Sequence, residues 1–140
     1  MGLASIFTAL AALAPTSTTV YALASTPKQP PWDALPCLIF ELQGERTIAV
    51  PFALGGATQA IGVEIQWLLI TGIIGTPLGT LYSGAVTALE NTLAALSADL
   101  FLGGAVIEPV SLPKIEFGHI ERQGKVYYGV RLFLQVRYVP

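Results

Sequence analysis

An α+β fold, a mostly antiparallel sheet with two helices packed on one face in the order α-β-β-β-β-α-β-β, is what the pattern of this chain predicts. Three observations lead there. Apolar residues recur every three or four positions in two segments, from Leu3 to Leu13 and from Leu81 to Leu100, which is the period of a helix buried along one side. Most other segments are rich in β-branched and aromatic residues, above all 61–74 and 125–139. Strand segments also follow one another without an intervening helix before residue 75 and again at the end, so antiparallel pairing with the helices segregated to one side buries both kinds of element. At 140 residues the chain fits one domain, 1–140, with a single core.

The opening "GLASIFTALAALAP" sets Leu3, Ile6, Phe7, Leu10 and Leu13 on one helical stripe with alanines between them, and Pro15 with the Thr/Ser run 16–19 closes it. A secretory signal needs positive charge ahead of its apolar stretch, and the first basic residue is Lys28, so the segment reads as a helix of the fold. Residues 18–22 suit a short strand. Residues 25–33 carry Pro27, Pro30 and Pro31 and read as an extended loop, because proline removes donors and forbids helix. Residues 35–42 read as a buried strand, Gln43-Gly44 as a turn, and 45–50 as the hairpin mate of that strand. "PFALGGATQA", residues 51–60, has Gly55-Gly56 at its centre and no usable period, and reads as a flexible loop.

Residues 61–74 form the clearest strand, with Ile61, Val63, Ile65, Trp67, Leu69 and Ile73 on one face. Gly62, Glu64 and Gln66 give the other face a wet start before Leu68 and Ile70 turn it apolar. "GIIGTPLGT" turns the chain into the second helix, which the stripe carries to a glycine cap at Gly103-Gly104, with Ser83, Thr87, Glu90, Asn91, Ser97 and Asp99 on a solvated outer face. The last two strands, 115–122 and 125–139, flank a two-residue turn at Gln123-Gly124. That turn places Glu116 opposite Arg131, Phe117 opposite Val130, His119 opposite Tyr128 and Ile120 opposite Tyr127. One face of the last strand, Val126 to Tyr138 in steps of two, belongs in a core; the other, with Tyr127, Arg131, Phe133, Gln135 and Arg137, suits a wet interface.

Composition narrows the function. Charged residues make 11% of the chain against about 25% in ordinary soluble domains, while hydrophobic residues make 53%. So few charges cover a domain surface poorly, and part of it is expected to be buried against other chains. A net charge of −2 with seven basic residues leaves no footprint for specific nucleic-acid binding. The uncharged stretch 65–89 is broken by Gly75, Pro77 and Gly79, and lacks flanking basic asymmetry, so no membrane span is expected.

Catalytic inventory is thin. His119 is the sole histidine and Cys37 the sole cysteine, so a histidine-based triad would have to use His119, with Cys37 or a serine as nucleophile and an acid such as Glu116 or Glu121. Glu41, Glu45, Glu64 and Glu108 show no metal-ligand spacing, and neither Gly55-Gly56 nor Gly103-Gly104 lies in a phosphate-binding pattern. The expectation is a non-enzymatic protein with no cofactor and no metal, Cys37 being a buried small hydrophobe.

The first helix, the short strand at "VYAL", the proline loop leading into "ALPCLIF" (34–40), the long central strand, the second helix ending in Gly-Gly and the final "GKVYYGVRLFLQVRY" (124–138) resemble the tail terminator proteins of long-tailed bacteriophages over nearly the whole chain. The resemblance implies a virion structural protein, assembled in the host cytoplasm. Such proteins form a hexameric ring on the head-proximal end of the tail tube, halt tube polymerisation and present the other ring face to the head connector. Partners would be further copies of the chain, tail-tube protein and head-tail connector proteins, with DNA passing the lumen without specific binding. Ring closure needs complementary, non-identical patches. The candidates are the Trp67-to-Ile74 segment and the mixed face, giving Trp67, Glu116, Tyr127, Arg131, Phe133, Gln135 and Arg137 as interface residues. The alternatives are another head-tail joining or neck protein, and a small-molecule binding module with an apolar sheet-helix pocket near Trp67, Tyr82 and Phe101.

Overall fold

A computed structural model describes residues 2–27, 29–31, 34–41, 49–54 and 58–139, the strand segments 49–54 and 58–60 through their backbone. Helix α1 (Leu3–Ala11) is followed by strands β1 (Thr19–Val20), β2 (Cys37–Glu41), β3 (Ala49–Leu54) and β4 (Thr58–Ile73), then helix α2 (Leu78–Ser97) and strands β5 (Ser111–Arg122) and β6 (Lys125–Tyr138). Among the described residues one six-stranded sheet contains every strand, in the order β1-β2-β4-β6-β5 with β3 also on β4. All pairings are antiparallel except β1 with β2. The expected element order and mixed, mostly antiparallel class are what the chain adopts.

Strand β4, 16 residues long, is the axis of the sheet. Along one edge its second half pairs with β2, from Glu41 opposite Gln66 to Cys37 opposite Ile70, and its first half pairs with β3, from Leu54 opposite Thr58 to Ala49 opposite Val63. Along the other edge β6 follows it from Ile61 opposite Tyr138 to Ile73 opposite Tyr127. Residues 51–54 and 58–60 are therefore strand, where the sequence suggested a flexible loop, and the partner of residues 49–50 is β4 rather than β2. The expected turn at Gln43-Gly44 and residues 45–48 lie outside the described residues. Gly55-Gly56, the centre of the expected loop, lies outside the described residues. Pro51 is accommodated because β3 pairs on one side only among the described strands.

Both helices lie on one face of the sheet. Ile6, Phe7 and Leu10 of α1 and Ala85, Ala88, Leu89 and Leu96 of α2 share a core with Val63, Ile65, Trp67 and Leu69 of β4 and Val130, Leu132, Leu134 and Val136 of β6. Trp67 stacks on Phe40 with ring centroids 5.6 Å apart, and Phe40 meets Phe7 edge-on at 4.9 Å, tying α1 to the two strands beneath it. On the opposite face a smaller cluster, Cys37, Ile39, Leu68, Ile70, Ile120 and Tyr127, is closed by Tyr21, Leu35 and Ile73. Ile73 thus lies on the face opposite to the one expected. A register shift between Ile70 and Gly72 inserts one residue into β4, and a slip of one exchanges faces from that point on.

Two further differences concern length. Helix α2 ends at Ser97, six residues before the glycines expected to cap it, and Asp99 accepts a 3.0 Å hydrogen bond from the Gly103 amide across the turns that follow. Gly103 and Gly104 do adopt left-handed backbone, with φ of 65° and 90°. Strand β5 begins at Ser111, four residues ahead of the expected start, with a register shift between Ser111 and Lys114; from Lys114 to Arg122 its register with β6 is the expected one: Glu116 with Arg131, Phe117 with Val130, His119 with Tyr128, Ile120 with Tyr127. Gln123 and Gly124 both have positive φ, 53° and 80°, as a type I′ hairpin turn requires.

Gly129 sits where β6 crosses the shifted part of β4, and a Cβ there would fall on the Leu69 carbonyl oxygen. Gly129→Ala is expected to lower unfolding free energy by about 3 kcal/mol in urea titration, because the obstacle is backbone. Gly84, in α2, would place a Cβ in open space. Gly84→Ala is expected to raise stability by about 0.5–1 kcal/mol through helix propensity alone.

Candidate assembly surface

The sheet face away from the helices has two halves with different fates. Over the first half the proline loop is laid down by a small set of directed bonds. Tyr127 donates its hydroxyl to the Pro30 carbonyl at 2.9 Å, Arg122 donates to the Pro27 carbonyl at 3.2 Å, and Gln29 donates to the Gln123 carbonyl at 2.7 Å. Cys37 lies beneath the loop, fully buried, and burial pushes its thiol up from the usual value near 9 to about 12, with Arg122 opposing the shift. Burial likewise raises Tyr127, next to Cys37 and against a smaller opposing effect of Arg122.

The second half carries the mixed face. Glu116 and Arg131 are register neighbours, yet each has another partner: the Glu116 carboxylate lies 3.3 Å from the Lys114 ammonium, and Arg131 donates to the His119 carbonyl at 3.1 Å. Arg137 makes a forked contact with Glu108, 3.1 Å to each carboxylate oxygen. Lys114 stands 5.1 Å over the Phe133 ring. Gln135 is exposed.

Of the seven candidate interface residues, Glu116, Arg131, Gln135 and Arg137 therefore present side chains to the surface. Trp67, Tyr127 and Phe133 do not, at 0%, 0% and 3% exposure. Trp67 points into the helix-side core, Tyr127 is locked under the proline loop, and Phe133 is covered by its neighbours on the sheet. Of the Trp67-to-Ile74 segment, residues 67–70 are buried in the chain itself, 71–73 are half-buried and Ile74 is exposed, so only its end reaches the surface. Gln66, expected on a wet face, is also buried, because its ladder position lies between β2 and β6.

A different apolar surface escaped the sequence reading. On α2, Leu78, Tyr82 and Val86 are exposed by 61%, 51% and 46%. On β5, which forms the sheet edge, Ile115 and Phe117 are exposed on the same side of the sheet as α2, since they stand opposite Leu132 and Val130 of the helix-side core. Aromatic rings bridge the two elements: Tyr82 lies 5.6 Å from Tyr128, and Tyr128 lies 6.2 Å from His119. The legible signal was the spacing Leu78, Tyr82, Val86, a second apolar stripe one residue round from Leu81 and Ala85. Its polar neighbours Ser83 and Thr87 hid it.

The other sequence-derived sites are not assembled. Cys37 is buried on the loop side of the sheet and His119 is exposed on the helix side. Trp67, Tyr82 and Phe101 do not line a common cavity: Trp67 is in the core, and Tyr82 and Phe101 are both exposed. A cleft of about 370 Å³ is open and lies between α2 and residues 16–17, lined by polar and small residues including Thr16, Ser17, Thr80, Ser83, Thr87 and Asn91. Among the described residues no three His, Cys, Asp or Glu side chains are grouped to hold a metal, and no helix is long and apolar enough to cross a membrane. No protein-family model matches this sequence, and no curated protein matches it either.

Two outcomes follow from the loop attachment. Tyr127→Phe removes the donor to the Pro30 carbonyl and is expected to cost about 1–2 kcal/mol in chemical denaturation. The native thiol of Cys37 keeps its proton to about pH 12, while in the unfolded chain it is lost near 9. The native state then binds more protons across that window, so stability is full below it and falls as pH rises through it. Cys37→Ala is expected to flatten that fall, measured as unfolding free energy between those two pH values.

Proposed function

We propose that this chain is a non-enzymatic structural protein of a bacteriophage virion, a tail terminator: a hexameric ring at the head-proximal end of a long tail that stops tail-tube polymerisation and joins the tail to the head connector. The observation that carries the reading is the exposed apolar surface of α2 and β5 on a chain with only 11% charged residues. A lone domain gains nothing from showing Leu78, Tyr82 and Phe117 to water, and a ring subunit has two lateral faces to bury. The resemblance in element order and in the "ALPCLIF" and "GKVYYGVRLFLQVRY" segments points to the same class. Further copies of the chain, tail-tube protein and head-tail connector proteins are the proposed partners, with DNA passing through the lumen. A neighbouring neck protein of the same ring-forming kind is the nearest alternative, distinguished by which component it binds.

Light scattering on a sizing column, with the chain alone and then with tail-tube protein, tests this directly. A species of hexamer mass in either condition is the expected result; a monomer that ignores tube protein overturns it. Within the ring reading, Arg131→Ala is expected to lower assembly yield while moving the unfolding free energy by no more than about 0.5 kcal/mol, since its hydrogen bond to the His119 carbonyl is at the surface. A loss of stability with unchanged assembly would make Arg131 a purely internal residue.

A further inference from the structure

Strand β5 runs for 12 residues with β6 on one side and, among the described strands, none on the other. From Lys114 to Arg122 its ladder with β6 has no register shift. A two-residue hairpin turn closes on a hydrogen-bonded pair, here Arg122 with Lys125, and the alternation of an antiparallel ladder fixes the rest. The backbone groups of Lys114, Glu116, Gly118 and Ile120 point at β6, and those of Ile115, Phe117, His119 and Glu121 point outward. Side chains alternate in the other sense. Ile115 and Phe117, both exposed, stand on the helix side, while Lys114 and Glu116 stand on the opposite side, 3.3 Å apart and about half exposed.

Pro113, the register shift beside it and the charge of Lys114 are devices that keep an edge from pairing with any strand that meets it. They also select among the ways in which a second copy can pair. A copy that adds antiparallel about a two-fold axis normal to the sheet keeps both helix faces on one side, and one residue of β5 then faces itself. Centred on Gly118, this places Lys114 opposite Arg122 of the copy; centred on Glu116, it sets two carboxylates against each other. Centred on Phe117, it leaves Lys114 opposite Ile120 and Glu116 opposite Gly118. Centred on His119, it sets Phe117 opposite Glu121, and Glu116 opposite an Arg122 that already donates to the Pro27 carbonyl. Only the pairing centred on Ile115 matches every opposed pair in kind: Lys114 with Glu116 twice, Ile115 with itself, and Phe117 with Pro113.

We propose that two copies of the free chain pair antiparallel through β5, in the register centred on Ile115. The occupant is a second copy because β5 carries its own complement. Opposite charges at Lys114 and Glu116, one residue either side of an apolar centre, exchange places when the strand is reversed. Each ammonium then lies between the carboxylate of its own chain and that of the copy. On the helix side Ile115 and Phe117 gain apolar neighbours, and the outward backbone groups of Ile115 bond to the same groups of the copy, a strand addition in which the added strand is the edge itself. A two-fold contact closes at two copies, so it is distinct from the head-to-tail contacts of a ring and does not rest on the ring reading. Under that reading the two contacts compete for Ile115 and Phe117, and the pair is the form of the chain before tube protein is met.

Sedimentation velocity of the full chain without tube protein tests the proposal, and a dimer is the expected species at up to about 100 μM. Lys114→Glu and Glu116→Lys each set like charges opposite one another twice, and each is expected to raise the dimer dissociation constant about tenfold or more. Both side chains are at the surface, so circular dichroism is expected to stay unchanged. The double variant Lys114→Glu/Glu116→Lys exchanges the two charges and is expected to restore the dimer. An equimolar mixture of the two single variants is expected to form dimers that neither forms alone. A natural chain that is monomeric or hexameric when free, a Lys114→Glu variant that dimerises as well as the natural chain or better, or a double variant that stays monomeric overturns the edge pairing. The ring is judged separately, by the hexamer on tube protein: its presence with a monomeric free chain sinks the pair alone, and its absence beside a charge-dependent dimer sinks the ring alone.

Discussion

Strand β4 is hydrogen-bonded on both edges for most of its length, and every other element takes its place from that ladder. Its helix-facing side chains, from Val63 to Leu69, form the floor on which α1 and α2 rest, and its opposite side chains, Leu68 and Ile70, anchor the smaller cluster beneath the proline loop. A strand covered on both faces must be apolar on both, which is why its second half reads as a continuous hydrophobic run. The bulge after Ile70 then hands Ile73 to the loop side and leads the chain into α2. Without the close approach permitted by Gly129, β6 could not follow β4 across that shift.

Because β4 is longer than β2, two strands share one of its edges, and this sets the outline of the molecule. β2 fills the half nearest the core, with parallel β1 outside it, and β3 fills the half that runs out past β6. The proline loop returns over the face that β1 and β2 leave open, held by carbonyls that accept from Tyr127 and Arg122 on the last two strands. That closure explains why a tyrosine on a face otherwise bearing arginine and glutamine is buried.

What was legible in the sequence follows from how local its cause is. The hairpin register of β5 and β6 depends on two turn residues, Gln123 and Gly124, so it could be read residue by residue. The two buried stripes depend on period alone, and they located α1 and α2. The β3–β4 hairpin was not legible because "AVPFAL" has neither alternation nor charge to mark its faces; its pairing is set by the unused half of β4, a tertiary fact. Ile73 was misplaced because a single inserted residue has no sequence signature. Trp67, Tyr127 and Phe133 looked like interface residues because aromatic side chains suit interfaces and cores equally, and only the path of the proline loop and the helices decides between those fates.

The same contrast separates the charges that remain from the surface that lacks them. Arg137 with Glu108, Lys114 with Glu116, and Arg131 on the His119 carbonyl place five of the chain's sixteen charged side chains on one face of the sheet and its margin. Exposed ion pairs of this kind stabilise a fold little, about 0–1 kcal/mol each, but they keep that face wetted and discourage unspecific apolar contact there. The helix face of β5 and the outer stripe of α2 receive no such treatment. A sheet margin wetted by ion pairs beside an exposed apolar helix face gives the surface two different chemistries.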